Sequence, residues 1–224
     1  MTSSPRRFVD LSHTVSDGLV TYPGLPAPRI RPHLTREASR ASYAPGTEFA
    51  LDVIEMIGNT GTYLDSPFHR YDGGTDLAGL DLATLVDLPA LVVTARGDRA
   101  VGPEAFAGLD VRGAAVLLST GWDAHFATAE YARDAPFLTE DGARALVDGG
   151  AVLVGIDSLN IDDTQGTGTR PAHSLLLGAG VHVVEHLTGL DELPASGARF
   201  TAVPPKVSGF GTFPVRAFAV VDGA

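Results

Sequence analysis

The strongest constraint on the fold is a series of short apolar runs, rich in Val, Ile, Leu or Phe, each bounded by Gly, Pro or Asp. Runs of this length and composition are typical of β-strands. The predicted strands are residues 6–11, 49–57, 89–95, 114–119, 151–156, 181–187 and 214–221. No linker, repeat or shift of composition separates them, so we predict one domain over residues 1–224, with a frayed terminus at 1–5.

Helical signals are fewer than strand signals. Thr139 and the two acids after it can cap a helix that runs to Val147 and stops at Gly149. The shorter helical segments that we predict are 82–86, 103–107 and 172–177. Because strands outnumber helices and helices separate some strand pairs, the pattern favours an α/β or α+β domain with a mixed sheet.

The composition excludes several classes of protein. The 224 residues include no cysteine, which excludes disulfides, thiolate nucleophiles and cysteine-based zinc sites. A net charge of −11 argues against nonspecific nucleic-acid binding, which needs a cationic surface. No run approaches the roughly 18 apolar residues of a membrane span, and the start of the chain lacks an apolar signal segment. We therefore expect a cytoplasmic protein that binds neither nucleic acid nor membrane.

The segment from 59 to 69 is the densest in polar chemistry, and it follows the predicted strand 49–57. Its chemically active side chains are Asn59, Tyr63, Asp65 and His69. Gly61 and Pro67 disfavour a continuous helix, so we expect these side chains to converge through a turn. Loops at strand ends often carry catalytic groups. An Asx-type turn with His69 on the surface is an equally good interpretation of the same residues.

Glu185 lies in an apolar run that we predict as a strand. On a strand over 181–187, Glu185 shares one face with Val181, Val183 and Leu187, while His182, Val184 and His186 share the other. A carboxylate on an apolar face costs several kcal/mol unless it is paired or bound to a cation. His173, twelve residues earlier, is a candidate partner. An exposed sheet edge would instead leave Glu185 in water, and Glu55 has the same property in its own run.

Other polar and aromatic residues carry weaker signals. His13, His33 and His125 lie in polar segments, where we expect exposed or locally hydrogen-bonded rings. Trp122 follows a predicted strand and a glycine, and we expect it to pack in the core rather than line a pocket.

Six blocks of the chain, taken in order, match the motifs of one known family. The most specific reads Asn59-x-Gly61-Thr62-Tyr63-x-Asp65-x-Pro67-x-His69, against the family pattern H-x-G-T-H-x-D-x-P-x-H. The other blocks are 10–12 with 22–24, 119–122, 155–158, His173 with Glu185, and 206–209 with 214–216. On these motifs the chain resembles the cyclase family of metal-dependent hydrolases, which includes bacterial kynurenine formamidase and isatin hydrolase.

The resemblance implies a fold, an assembly and roles for residues. It implies a swivelling β/β/α domain, assembled as a homodimer or homotetramer, with a site for a small-molecule substrate near a subunit interface. The residues to which it implies catalytic roles are His69, as the acid–base group, Asp65, His173 and Glu185. Tyr63 is a further catalytic candidate on chemical grounds, because a phenol can donate to a developing oxyanion. If one divalent metal, Zn²⁺ or Mn²⁺, is retained, the ligands implied are Asp65, His173 and Glu185. The substrate-binding residues implied are Asn59, Tyr22, Trp122 and Phe210.

The chain departs from the family pattern at two positions. Asn59 and Tyr63 stand where the signature has histidines, and amide or phenol oxygens are weaker zinc ligands than imidazole. Three outcomes follow. One metal sits at Asp65, His173 and Glu185, or Tyr63 ligates as a phenolate with Asn59 as an oxygen donor, or no metal binds and the ionisable groups form an acid–base cluster.

Three functions remain open on the sequence. The first is acid–base chemistry on a small carbonyl compound, by cyclisation, dehydration or isomerisation, with the usual first metal site lost. The second is metal-dependent hydrolysis of an amide or lactone. The third is non-catalytic binding, which the retention of four ionisable groups disfavours. The Gly/Thr-rich loop 161–170 is interpreted equally well as an active-site lid or as an uninvolved surface loop.

Overall fold

The computed structural model describes residues 6–223. The strands in this range are β1 (Arg7–Asp10), β2 (Arg29–Leu34), β3 (Leu51–Glu55), β4 (Tyr63–Asp65), β5 (Leu88–Thr94), β6 (Ala100–Val101), β7 (Ala115–Ser119), β8 (Phe137–Leu138), β9 (Leu153–Ile156), β10 (His182–Glu185), β11 (Ser196–Thr201), β12 (Thr212–Pro214) and β13 (Phe218–Val221). The α-helices are α1 (Arg36–Ser39), α2 (Glu140–Gly149) and α3 (Pro171–Gly178). Short 3-10 helices cover Pro67–His69, Leu82–Thr84, Pro103–Phe106, Trp122–His125, Ala129–Ala132 and Leu190–Glu192.

The sequence led to one expectation about the N-terminus and one about membrane-spanning segments. The frayed terminus predicted for residues 1–5 lies outside the described residues. Within the described range, no helix combines the length and the apolar character that crossing a bilayer requires.

The main sheet has the strand order β1-β13-β11-β5-β7-β9-β10-β4-β12. Its centre, from β5 to β10, is parallel, and antiparallel strands flank the centre on both sides. Strands β7, β9 and β10 are buried at every residue. Burial on both faces explains why β7 and β9 are nearly continuous apolar runs and not alternating ones, whereas β10 also buries His182 and Glu185. The predicted α/β class with a mixed sheet and few short helices is confirmed.

Successive side chains of the central strands enter two different cores. Leu117 and Val184 belong to one core, whereas Leu118 and Val183 belong to the other, on the side that α2 and α3 cover. Because strand side chains alternate between the faces of a sheet, Glu185 points to the helix side, two residues beyond Val183. The sheet therefore determines on which side any chemistry at Glu185 takes place.

Helices α2 and α3 form where the sequence predicts them, whereas α1 was not predicted. The hydroxyl of Thr139 accepts the N–H of Gly142 at 3.0 Å and so caps α2, and the helix ends at Gly150, whose φ of 82° favours glycine. Helix α3 (Pro171–Gly178) covers the predicted segment 172–177 and extends it by one residue at each end. The leucines of α2 and α3, Leu146 and Leu176 among them, pack into the helix-side core.

The predicted strand 49–57 is shorter and lies outside the main sheet. Its ordered part, β3, pairs only with β2 in a two-stranded antiparallel hairpin. Leu51 and Ile54 remain 51% and 54% exposed there. The apolar run indicated a strand correctly, but apolar composition alone does not show which surface a strand packs against. The homodimer or homotetramer implied by the family resemblance stays a prediction.

The predicted strand 214–221 is two strands. Strand β12 pairs with β4 at one edge of the main sheet, while β13 pairs with β1 and β11 towards the opposite edge. The chain must therefore leave the sheet between them, and the Ser12 hydroxyl accepts the N–H of Ala217 at 2.7 Å on that crossing. Strands β2, β4 and β11, which the apolar runs did not predict, contain charged, polar or small residues that weaken the signal.

Candidate active site

Strand β4 brings the polar segment into the main sheet. It pairs antiparallel with β10, with Tyr63 opposite Glu185 and Asp65 opposite Val183. Tyr63, Asp65 and Glu185 therefore point to the helix side of the sheet, and all three are buried. The predicted turn is wrong for this part of the chain: Gly61 bends the chain before the strand, and the polar side chains converge from strand positions.

A short 3-10 helix positions His69. Pro67 starts this helix directly after β4, and His69 ends it with its side chain 34% exposed. The Thr212 hydroxyl lies 2.5 Å from Asp65 Oδ1 and 2.7 Å from His69 Nδ1. Because a hydroxyl has one proton and the carboxylate accepts it, the Thr212 oxygen accepts from His69 Nδ1–H. That tautomer leaves the lone pair of His69 Nε2 available.

Asp162 orients His173 in the first turn of α3. The carboxylate of Asp162 accepts the N–H groups of Ala172 and His173 at 2.7 and 3.0 Å, and it lies 2.7 Å from His173 Nδ1. It therefore fixes both the start of the helix and the tautomer of the ring, with the lone pair on Nε2. Asp162 was not predicted as a site residue; its place between a buried apolar residue and a proline-started helix was the available signal.

His173 Nε2 faces two buried carboxylates. It lies 3.5 Å from Asp65 Oδ2 and 3.5 Å from Glu185 Oε1. Asp65 Oδ2 is buried and has no hydrogen-bond partner among the described residues. Glu185 Oε1 accepts the N–H of Ile161 at 2.6 Å, and Glu185 Oε2 accepts the Tyr63 hydroxyl at 2.6 Å. The structure thus brings together Asp65, His173 and Glu185.

His186 extends the cluster behind Tyr63. Its Nε2 lies 3.2 Å from the Tyr63 hydroxyl and its Nδ1 lies 2.9 Å from the Tyr131 hydroxyl. The predicted strand 181–187 placed His186 on the face opposite Glu185, which is wrong. Strand β10 ends at Glu185, and His186 adopts a left-handed backbone with φ of 57°, so strand alternation stops there.

The two carboxylates of the cluster have opposite pKa shifts. Burial acts to raise the pKa of Asp65, but its contact with His173 and the charge of His69 hold it below the usual range. Burial raises the pKa of Glu185 to about 7. For His173, burial acts to lower the pKa, and the contacts with Asp162 and Asp65 overcome it and raise the value to about 10. Asp65 is therefore the permanent negative charge of the cluster.

Tyr63 remains a phenol in this environment. Burial and the charge of Glu185 raise its pKa well above the usual range. A phenolate would lie beside the carboxylates of Glu185 and Asp65, and the hydrogen bond from the Asn59 side chain offsets only part of that repulsion. The arrangement makes Tyr63 a hydrogen-bond donor to Glu185, in contrast to the phenolate ligand that the sequence left open.

A cavity of about 670 Å³ opens onto this cluster. Its wall includes Asn59, His69, His173 and Glu185. Gly168 and Thr169, at the end of the loop 161–170, also line it, so this end of the loop lies at the cavity. The beginning of the same loop is fixed, since Asp162 is bound to α3.

The three aromatic residues predicted to bind substrate do not line this cavity. Tyr22 and Trp122 pack with Tyr131 in a small separate cluster, where the Trp122 indole donates to the Tyr131 carbonyl at 2.9 Å. Phe210 is 40% exposed and packs against Phe213. Apolar packing and one backbone acceptor hold Trp122 and Phe210. Tyr22 differs: burial raises the pKa of its phenol, and Arg170 and Glu185 lie close enough to act on that pKa, so this ring borders the catalytic cluster.

The histidines predicted in polar segments differ from one another. His33 is exposed, as expected, and His125 is half-buried. His13 is also half-buried, because its ring stacks on Phe126 with ring centroids 3.6 Å apart. Its Nε2 has no hydrogen-bond partner among the described residues.

The spacing around His173 Nε2 suits a divalent cation. Nitrogen–oxygen separations of 3.5 Å exceed the range of a good hydrogen bond, but zinc ligands at 2.0–2.2 Å in tetrahedral geometry lie about 3.4 Å apart. In the described part of the chain, the metal-type donors that all lie within 4.8 Å of one another are Asp65, His69 and His173, and this set does not include Glu185. Imidazole and carboxylate donors are the set that Zn²⁺ and Mn²⁺ accept, so the residues present fit such an ion.

Comparison with known proteins places the chain in a family. The family described as a putative cyclase matches residues 9–163. Kynurenine formamidase of Geobacillus thermodenitrificans is 28% identical over 212 residues, which cover 94% of this chain and 95% of the relative. The match extends over nearly the whole of both proteins.

Solved structures agree with this placement. Isatin hydrolase A from Labrenzia aggregata superimposes with a TM-score of 0.81 and 27% identity, over 97% of this chain and 94% of that protein. A structure described as a potential metal-dependent hydrolase with cyclase activity gives a TM-score of 0.79 at 26% identity, over 98% of this chain and 100% of that one. These similarities confirm the fold that the sequence motifs implied.

Proposed function

The chain belongs to the cyclase family, and from that premise we propose that it is a metal-dependent hydrolase that cleaves the C–N bond of an amide or the C–O bond of a lactone. One observation carries the proposal. His173 Nε2 lies 3.5 Å from both Asp65 Oδ2 and Glu185 Oε1, and Asp65 Oδ2 has no other partner among the described residues. An orphaned buried carboxylate oxygen is costly unless a cation satisfies it.

Asp65 and His173 would hold the metal, with Glu185 as the third ligand, because its Oε1 lies 3.5 Å from His173 Nε2. When bound, such an ion lowers the pKa of water and polarises a carbonyl group. Asp162 fixes the tautomer that presents His173 Nε2, and the Tyr63 hydroxyl fixes the carboxylate of Glu185. These two contacts supply the outer support that metal ligands need.

His69 moves the proton. Its Nδ1–H donates to Thr212, which donates to Asp65, so His69 Nε2 can accept a proton from the water that attacks the carbonyl carbon. The same nitrogen then gives that proton to the departing nitrogen or oxygen as the C–N or C–O bond breaks. Asn59 lines the same cavity, where its amide can bind the carbonyl oxygen or the leaving group.

A second candidate is proton transfer without a metal, in a cyclisation, dehydration or isomerisation. The observation that favours it is the separation of the two carboxylates in pKa: Asp65 is lowered, while burial raises Glu185 to about 7. Two acids with separated pKa values can divide acid and base roles. In that reaction His173 is a cation between the carboxylates and Tyr63 donates to the substrate oxygen.

Metal content and turnover distinguish the two candidates. The protein is purified without added ions, and its metal is measured before and after chelation, with turnover assayed on an aryl formamide and an aryl lactone. The hydrolase predicts about one Zn²⁺ or Mn²⁺ per chain and loss of turnover on chelation. Turnover of either compound by the chelated, metal-free protein would overturn it. Non-catalytic binding predicts a ligand but no turnover under any metal condition.

His69→Ala tests the proton-transfer role. Since general acid–base groups contribute roughly 10²–10⁴-fold, we expect kcat to fall by that amount while metal content and the circular dichroism spectrum stay unchanged. His33→Ala, at an exposed histidine of the hairpin β2–β3, is the control and should retain turnover. Equal kcat values in the two variants would remove His69 from the mechanism.

A further inference from the structure

Two arginines line the cavity that contains the catalytic cluster. Arg70 follows His69 directly, and Arg170 immediately precedes α3; both belong to the cavity wall. Among the described residues, neither guanidinium has a carboxylate within 4.0 Å. The chain carries a net charge of −11, yet within the part of the chain that the structure describes these two cavity-wall cations have no acidic partner.

Neighbouring groups hold the Arg70 side chain without neutralising it. Its Nε donates to the Ser174 hydroxyl at 3.2 Å, and its guanidinium carbon lies 5.2 Å from the centroid of the Tyr71 ring. The Tyr71 hydroxyl in turn donates to the Ser174 carbonyl at 2.9 Å. Because only Nε is engaged in these contacts, the two terminal nitrogens of the fork remain as donors.

Backbone carbonyls hold the Arg170 side chain. Its Nη1 donates to the carbonyls of Asp163 and Thr169 at 3.2 and 2.9 Å. These acceptors are uncharged, and the carboxylate of Asp163 is itself occupied by Arg99, with one contact at 2.5 Å. The guanidinium is therefore positioned in advance, with its charge still available for a ligand.

Helix α3 ties the two arginines together. Ser174 donates its hydroxyl to the Arg170 carbonyl at 2.7 Å and accepts from Arg70 Nε. The acid on this wall, Glu140, is paired with Arg144 at 3.0 Å, which offsets its charge. The wall thus presents two unbalanced cations, while the buried floor presents Asp65 and Glu185.

We propose that this site takes a substrate with an anionic group, a carboxylate, which Arg70 and Arg170 bind while the scissile carbonyl faces His69. The proposal rests on the proposed hydrolase function and names its substrate class. Guanidinium forks bind carboxylates through paired, charge-assisted hydrogen bonds. The arginines orient the substrate, since they attract its carboxylate to the wall and leave the scissile carbonyl to face His69.

The test uses two probes that share one scissile group. 3-Formamidobenzoate carries a carboxylate, and 3-formamidobenzamide replaces it with a neutral amide of similar shape. Titration calorimetry gives the Kd of each probe, and turnover of each is measured separately by release of the free aniline. The proteins compared are the wild type, Arg70→Gln, Arg170→Gln, the double variant and the control Arg112→Gln.

We expect the wild type to bind the benzoate about tenfold or more tightly than the benzamide. Each single variant should reduce this preference, and the double variant should abolish it. Arg112→Gln removes an exposed arginine that does not line the cavity, and it should keep the full preference. If the double variant folds poorly, Arg170→Lys replaces it in the test. This variant retains a charge without the planar guanidinium group, and it should keep part of the preference.

Equal affinity of the wild type for the two probes would overturn the anion site, as would an unchanged preference in the double variant. The experiment distinguishes a failure of the anion site from a failure of the hydrolase function. Hydrolysis of both probes without a preference for the benzoate leaves the hydrolase and removes the anionic substrate class. A preference for the benzoate without hydrolysis by the metal-loaded protein leaves the anion site and removes the hydrolase for formamides.

Discussion

Two buried histidines lie on opposite sides of the same sheet and have opposite surroundings. His173 projects into the helix-side cluster, where Asp162 holds its Nδ1 and two further carboxylates face its Nε2. His182, on β10, points to the other side, where its Nε2 contacts the Thr84 hydroxyl at 2.9 Å. Its Nδ1 is buried without a partner among the described residues.

The difference shows that partners, more than burial, decide the charge of a buried histidine. Burial acts to lower the pKa of both rings. Carboxylate neighbours reverse that effect for His173 and raise its pKa to about 10, whereas His182, without such neighbours, has a pKa lowered to about 4. One side of the sheet is therefore built to hold a positive charge or a cation, and the other accommodates a neutral ring in an apolar core.

The largest expected difference is between variants that replace His173 and variants that replace His182. His173→Ala removes a metal donor and leaves Asp65 and Glu185 buried without a counter-charge, so we expect metal loss and a fall in kcat/KM of about 10³-fold or more. His182→Met should keep metal and remain within about twofold of wild-type turnover, since it changes only the core. Metal analysis and steady-state kinetics on an aryl formamide check both. Similar losses of metal and turnover in the two variants would contradict the proposal that only the helix side of the sheet carries the catalytic site.

Asp162→Asn should have a smaller, metal-linked effect. An amide group facing His173 Nδ1 favours the wrong tautomer, so we expect metal affinity to fall about 10–100-fold. The measurement is the metal Kd by competition with a chelating dye, together with kcat at saturating metal, which should recover most of the wild-type value. Asp163→Asn is the control, because that carboxylate binds Arg99 and not His173. A lowered kcat with unchanged metal affinity would contradict the positioning role.

The smallest expected effect is a pH dependence of stability at His182. Its pKa is about 4 in the folded state and about 6.5 in the unfolded state. As pH falls below 6.5, the unfolded chain takes up a proton that the folded chain does not, so the wild type loses up to about 1.4 kcal/mol per pH unit relative to His182→Met. Urea unfolding of both proteins between pH 7.5 and 5 measures the difference. Parallel stability curves would show that His182 is not buried in its neutral form.

Residue types and spacing were enough to predict much of the fold. Largely apolar runs predicted the central strands, because a strand buried on both faces is mostly apolar. The cap at Thr139 and the glycine after α2 predicted that helix from local geometry alone. Strand β4 was missed, because a three-residue strand of buried polar side chains has no apolar signature; only its pairing with β10 makes it a strand.

For the site, too, some features were predicted from the sequence and others depend on the tertiary structure. The motif from 59 to 69, with His173 and Glu185, predicted which residues meet, and the structure brings Asp65, His173 and Glu185 together. Asp162 and His186 were not predicted as site residues, because their roles depend on a helix start and on a left-handed residue at a strand end. Tyr22, Trp122 and Phe210 were placed by motif position. Packing with other rings holds Trp122 and Phe210 outside the cavity lining, whereas Tyr22 lies beside Arg170 and Glu185.

The sequence by itself determined the class of fold, the family and the ionisable residues of the site, since apolar periodicity and motif spacing are local properties of a chain. Only the tertiary structure decided the state of those residues. Whether His173 is charged, whether Tyr63 is a donor and whether Arg70 and Arg170 keep their charges for a ligand depend on neighbours that are distant in sequence. Electrostatic energies are set by distance and burial in space, and neither can be read from the order of residues.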